Sequence, residues 1–240
     1  MLALLLSLHA LAGPGPVDPV RYKLVNKSSV DLGMGGMGAI ELTMSAFVSI
    51  TLSDSAGGRI AHVVIDSSTF DAGQMAAMMQ GQMGDDPKGV SLHAYFVNGK
   101  AKSIVPSAQN VQAMQLVSAV QLLLAGTRTS KAGDSWVDST VADTAVSAMT
   151  TRASLVTQWK ASPAGAGAVQ LDGAVTGTTT FGNGQMQMDM QTTGTSHITT
   201  RPGALPSVAT SSTTGSGNMN LGGQSMTMKV GTEVSATLIP

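Results

Sequence analysis

Between residues 39 and 52 apolar and polar side chains alternate: Ile40, Leu42, Met44, Ala46, Val48, Ile50 and Leu52 share one parity, while Glu41, Thr43, Ser45, Ser49 and Thr51 take the other. A period of two puts one set on each face of a strand, so this segment predicts a long strand with one buried and one wet face. Residues 21–25 read the same way. Asp54-Ser55-Ala56-Gly57-Gly58 is turn chemistry, and the alternation resumes over 59–65, which predicts an antiparallel hairpin. A second hairpin is predicted over 90–105, turning at Asn98-Gly99. Further strands are expected over 136–141, 148–161, 169–181 and 185–202, with two more after Ser207. The turns between them fall at 182–184 and at Gly222-Gly223. The Thr- and Gly-rich stretch 203–218 resembles a linker in composition, but Ser and Thr alternating with Met, Val and Ile suit a sheet with one solvated face.

The period changes twice. Met75, Ala76, Met78, Met79 and Met83 recur at helical spacing and predict a short methionine-faced helix, stopped by Gly84-Asp85-Asp86-Pro87. Over 107–125 the stripe Val111, Met114, Val117, Val120 and Leu124, thickened by Leu116, Leu122 and Leu123, predicts a second helix ending at Gly126. The fold class expected is α+β, mainly β: about ten antiparallel strands in one large curved sheet, a half-barrel, with two helices covering its open side.

Residues 2–12 form an apolar run closing on Ala10-Leu11-Ala12, a small-x-small cleavage pattern, followed by Gly13-Pro14-Gly15-Pro16. Such a run is well short of the roughly 20 residues a spanning helix needs. The organisation expected is therefore a signal peptide at 1–12, a linker at 13–19 and a single β-rich domain at 20–240, in a periplasmic or secreted bacterial protein. No Lys or Arg precedes the run, so the usual basic start of a signal is missing.

Composition narrows the chemistry. Only 11% of the 240 residues are charged and the net charge is −1, which leaves no basic footprint for nucleic acid. The absence of cysteine excludes disulfides, thiol nucleophiles and thiolate metal sites, and it fits export to an oxidising compartment. Gly33-Met34-Gly35-Gly36-Met37-Gly38 satisfies G-x-G-x-x-G. A dinucleotide site needs a helix after that motif, and here the chain's clearest strand follows, so a glycine-rich loop is expected. Gly133-Asp134-Ser135 resembles a serine-hydrolase block, but no histidine base stands near a carboxylate in sequence, and a turn launching a strand is the plainer reading, with Trp136 anchoring beneath the helix. His62, His93 and His197 lie far apart in sequence and read as strand-surface residues. No metal-ligand spacing is visible among them.

Methionine is the remaining signal, with 16 copies against eight aromatic residues. Met186, Met188 and Met190 are spaced by two, as are Met226 and Met228, so each set presents a soft, adaptable apolar face on one side of a strand. These faces fit a core, an apolar ligand, or a Cu(I) site, because thioethers are soft ligands.

The order of an export signal, long antiparallel strands, helices at the open side and the Gly133-Asp134-Ser135-Trp136 strand start resembles periplasmic proteins of the LolA/LppX-like half-barrel type, among them uncharacterised secreted families with a Gly-Asp-(Ser/Thr)-Trp segment. The resemblance implies a sheet bent around an apolar cavity that holds a lipid or lipoprotein acyl chain, with transient contact to a membrane or a lipoprotein. It implies no catalytic residues. Aromatics and leucine, which line such carriers, are replaced here by Met, Val and Ala.

The function expected is that of an exported, non-enzymatic protein, without cofactor, that holds a lipid or other hydrophobic molecule in a groove formed by Met44, Val48, Met114, Val117, Met186, Met188 and Met190. Burial of apolar area, at roughly 25 cal/mol per Å², would drive binding. A periplasmic methionine-rich Cu(I)-binding protein and a ligand-free structural or interaction module are the alternatives.

Overall fold

The computed structural model describes residues 18–31, 39–73, 85–108, 110–146, 149–183, 186–221 and 224–240. The predicted signal peptide, the G-x-G-x-x-G segment and the methionine-faced helix over 75–83 lie outside the described residues.

Eleven strands form one antiparallel sheet: β1 (Val20–Asp31), β2 (Ile40–Ser55), β3 (Gly58–Asp71), β4 (Ser91–Val97), β5 (Lys100–Pro106), β6 (Ser135–Val146), β7 (Met149–Pro163), β8 (Val169–Asn183), β9 (Met186–Thr200), β10 (Val208–Leu221) and β11 (Gln224–Ile239). Their order across the sheet is β5-β4-β3-β2-β1-β11-β10-β9-β8-β7-β6, so the first and last strands are paired at the centre and β5 and β6 are the edges. The Asp54–Gly58 turn is confirmed as a hairpin with Ser55 facing Gly58. Asn98-Gly99 turns with both φ angles positive, 47° and 76°, as a two-residue hairpin loop requires. The Thr-rich stretch is strand β10.

Alternation carries through. Tyr22 and Leu24 on β1, Met44, Ala46, Val48 and Ile50 on β2, and Leu171 on β8 are all at or near zero exposure, while their neighbours of opposite parity face out. On β3 the inward parity switches at a β-bulge, where Phe47 faces Ser67 and Val48 faces Ile65. The extra residue, Asp66, turns outward and is held by Ser49 Oγ at 2.8 Å, with Arg21 Nε at 3.9 Å. The bulge adds local twist and bends the strand.

The sheet curls into a nearly closed barrel, further than the half-barrel expected. Arg59 Nη1 on β3 donates to the Gly203 carbonyl in the β9–β10 connection at 3.1 Å, although β2, β1 and β11 stand between these elements in the sheet. Inward-facing glycines permit the curl. A Cβ at Gly173 would lie 2.8 Å from the Trp159 ring, and one at Gly177, Gly194 or Gly217 would collide with the backbone of the next strand.

The helical expectation needs correction. Among the described residues there is one bent helix, α1 (Val111–Gln115) and α2 (Val117–Ala125), joined at Leu116. Asn110 caps it, its Oδ1 accepting the Ala113 N–H at 2.9 Å. The helix does not cover an open side. Ala119, Val120, Leu122, Leu123 and Leu124 are all buried, and α2 packs against β5, β11, β10 and β1 inside the curl. A helix apolar nearly all round belongs in an interior, and this one lies within the curl of the sheet. Gly126 ends it, but with φ −66°, not a left-handed one. Glycine is required there because a Cβ would lie 2.9 Å from both Ile198 Cγ2 and Pro206 Cγ.

Candidate functional site

Where α2 leaves the inner wall unfilled, a cavity of about 240 Å³ remains. Ser118, Gln121 and Leu122 of α2 form one side. Leu155, Thr157 and Trp159 of β7, Val175 of β8, Ser196 of β9, Ser211 and Thr213 of β10, and Thr232 and Val234 of β11 form the other. Lys100 and Ala101 of β5 and Asp138 and Thr140 of β6 complete it, so both sheet edges reach this space and the seam between them borders it. The lining mixes aliphatic surface with a dispersed set of hydroxyls, which suits a molecule with an apolar body and a few polar atoms.

One wall is braced by a small network. Trp136 Nε1 donates to Asp138 Oδ2 at 2.9 Å, and Arg128 Nη1 lies 3.9 Å from Asp138 Oδ1. The Arg128 guanidinium also sits 4.4 Å from the Trp136 ring centre, and Trp136 stacks on Trp159 at 6.1 Å. This stack links the exit from α2 to β6 and β7 and orients the Asp138 carboxylate at the cavity wall. Gly133, with φ +97°, and Asp134, whose carboxylate accepts the Lys131 N–H at 2.8 Å, make the turn that launches β6. Gly133-Asp134-Ser135-Trp136 is thus a strand start, as its sequence suggests. Ser135 faces Lys160 across the β6–β7 ladder.

The histidines lie on strands, as expected, but two pairings escaped sequence reasoning. His62 and His93 face each other across β3 and β4 with ring centres 4.6 Å apart. His197 Nδ1 meets Asp172 Oδ1 at 2.7 Å across β8 and β9 on the outer wall. Asp172 also accepts from Gln170 Nε2 at 2.9 Å, and that bond first, then the one to His197, holds its carboxyl below the usual carboxylate value. The partners are 25 residues apart, so no local spacing signals the pair. Among the described residues no group of three or more His, Asp or Glu side chains is placed to hold a metal ion.

The seven residues expected to line one groove are dispersed. Met44 and Val48 belong to the packed core of β2. Met188 and Met190 are buried on β9, four strands away in sheet order. Met114 on α1 is 40% exposed, and Val117 at the start of α2 is half-buried. Met186 begins β9, but its side chain lies outside the described ones. None of the six whose side chains are described lines the cavity beneath α2. Its hydroxyl lining went unseen because Ser and Thr at those positions read equally well as ordinary strand residues.

No protein-family model matches the chain, and no curated protein does. Solved structures align over 90% of this chain and 99% of theirs: one described as "Asymmetric conductivity of engineered proteins", at 10% identity and a TM-score of 0.25. Two mutants of the Rhodopseudomonas blastica porin align over the same shares, at 8% and 9% identity with TM-scores of 0.25 and 0.27. Scores of this size do not indicate a shared fold.

Proposed function

We propose that this protein is a non-enzymatic, bacterial extracytoplasmic binding protein that holds a small hydrophobic or amphipathic molecule between α2 and the inner wall of β6–β11. The observation that carries this reading is the cavity beneath α2. It has an aliphatic and indole floor, spaced hydroxyls, one carboxylate and a seam between two unpaired edges through which a ligand could enter. At about 240 Å³ it is smaller than a typical drug-sized pocket and suits a compact ligand or a single acyl segment.

The outer wall supports a barrel that stands in water. Around its middle, Ser139, Val156, Thr176, Thr193, Thr214 and Gly231 follow one another on the outer face across the six strands β6–β11 in register. A membrane-spanning barrel presents an apolar band roughly 25 Å tall there. Asp172 and His197 form a hydrogen-bonded pair on this outer wall, on the face opposite the cavity.

The test is native mass spectrometry of the protein after mild extraction, with displacement of the hydrophobic fluorophore N-phenyl-1-naphthylamine as a second readout. The wild type is expected to carry dissociable mass and to bind the dye. Thr157→Phe, which fills the cavity from β7, should lose both while keeping its near-ultraviolet circular dichroism. Dye binding unchanged in that variant, with no dissociable mass in the wild type, would move the reading to a ligand-free structural module.

A further inference from the structure

Methionine is concentrated toward one end of this barrel, with Met44 as the exception in its core. The lower interior is packed with Leu24, Ile50, Ile65, Leu123, Leu171 and Ile198. Apart from Met44 in the core of β2, the buried methionines among the described residues, Met188 and Met190, lie toward the end at which β8–β9 and β10–β11 connect. There the register sets two rungs across three strands. Gly217 on β10 faces Met190 of β9 on one side and Met228 of β11 on the other. One rung closer to the rim, Met219 faces Met226, and Met188 follows two residues from Met190 on the same face.

The glycine between the two methionines is filled by one of them. A Cβ at Gly217 would lie 2.9 Å from Met190 Cγ, and one at Gly215 would lie 3.0 Å from Met190 Cε, so the Met190 side chain lies over the bare backbone of β10 at both glycines. Adjacent strands are about 4.8 Å apart, so β9 and β11 stand roughly 10 Å apart across β10, a span that long side chains close from both sides when the middle residue has none. Met188 and Met190 are 5% and 3% exposed, whereas Met226 and Met228 are half-buried. The cluster is dry on the β9 side and accessible on the β11 side.

From this juxtaposition we infer a soft-cation site, taking Cu(I) or Ag(I), formed by the thioethers of Met188, Met190, Met226 and Met228 around Gly217 on the inner wall. Uncharged sulfur donors select soft monovalent ions over Zn²⁺, Mg²⁺ or Ca²⁺, whose preferred ligands are nitrogen, thiolate or oxygen. Volume alone does not require the concentration, since Leu matches Met closely in volume and, among the described residues, Met44 is the one buried methionine in the rest of the interior. The inference is independent of the cavity beneath α2, which shares none of these residues.

The experiment uses the full chain with methyl-¹³C methionine. On titration with Ag(I), the methyl resonances of Met188, Met190, Met226 and Met228 should shift together and saturate, while those of Met44 and Met114 stay in place. Under anaerobic reducing conditions the protein should withdraw Cu(I) from its bicinchoninate complex. The double variant Met190→Leu/Met228→Leu should bind at least about tenfold more weakly, with Met44→Leu as wild type, because two of four donors are lost without a volume change. Methyl shifts spread evenly over all methionines, no Cu(I) withdrawn, or withdrawal undiminished in the double variant would each overturn the inference. The wild-type methyl titration decides the matter even if the variant folds poorly. Loss of Cu(I) binding with N-phenyl-1-naphthylamine binding intact is the expected pattern and separates this site from the cavity.

Discussion

Tyr22→Phe and Tyr95→Phe form a matched pair that tests what closes the base of the barrel. Both phenols donate to a distant backbone carbonyl, Tyr22 to Pro206 at 2.6 Å and Tyr95 to Ala56 at 3.3 Å. Tyr22 is fully buried, and desolvation pushes its phenol far above the ordinary tyrosine value, so it remains a neutral donor at any pH at which the protein is folded. Removing that hydroxyl strands the Pro206 carbonyl in a dry interior, which costs about 1–3 kcal/mol, whereas water replaces the lost partner at Ala56 for a few tenths of a kcal/mol. In a chain of this size each kcal/mol lowers Tm by about 2–4 °C. The assay is urea unfolding of the wild type and both variants, read as a fall in midpoint at constant m, with calorimetry alongside. Tyr22→Phe should fall clearly below wild type while Tyr95→Phe stays close to it. Equal losses, or a neutral Tyr22→Phe, would refute the reasoning that the buried bond ties the β9–β10 connection to β1.

Three further outcomes are expected. Gly126→Ala gains up to about 1 kcal/mol of helix propensity but places its Cβ against the Ile198 methyl and the stiff Pro206 ring; overpacking of about 1–3 kcal/mol wins, and urea unfolding should show a net loss. Asn110→Ala removes the cap on the Ala113 N–H and the bond from Asn110 Nδ2 to the Asp85 carbonyl at 2.9 Å, so the variant should lose about 1 kcal/mol, checked by the same unfolding curves. The Asp172 carboxyl, lowered by Gln170 and then His197, contributes stability that is present above the ordinary aspartate value and lost as pH falls through its lowered folded value; since the side chain is 41% exposed, solvent screening keeps the contribution below about 1 kcal/mol. Carboxyl ¹³C titration should find its midpoint below that of free aspartate, and Gln170→Ala should move it back up; a midpoint unmoved in that variant would show that another group sets it.

Local pattern carried much of this fold. Alternation over 39–52 and the turn chemistry at Ala56-Gly57 and Asn98-Gly99 each depend on neighbours within a few residues, so strands, hairpins and inward parity could be read directly. The apolar run over 107–125 likewise predicts a helix, and its near lack of a polar face fits a place inside the sheet. What residues far apart in sequence do to one another was not legible. The bulge at Asp66 and the inward glycines of β8, β9 and β10 bend the sheet past a half-barrel, but the degree of curl depends on how every strand meets its neighbours. Pairing of β1 with β11, the Asp172–His197 contact and the placement of Met190 and Met228 on either side of Gly217 are all consequences of register. The sequence by itself therefore determined the elements and the face each residue takes. Tertiary structure alone decided which faces meet, because strand pairing joins residues whose separation in the chain carries no periodic trace.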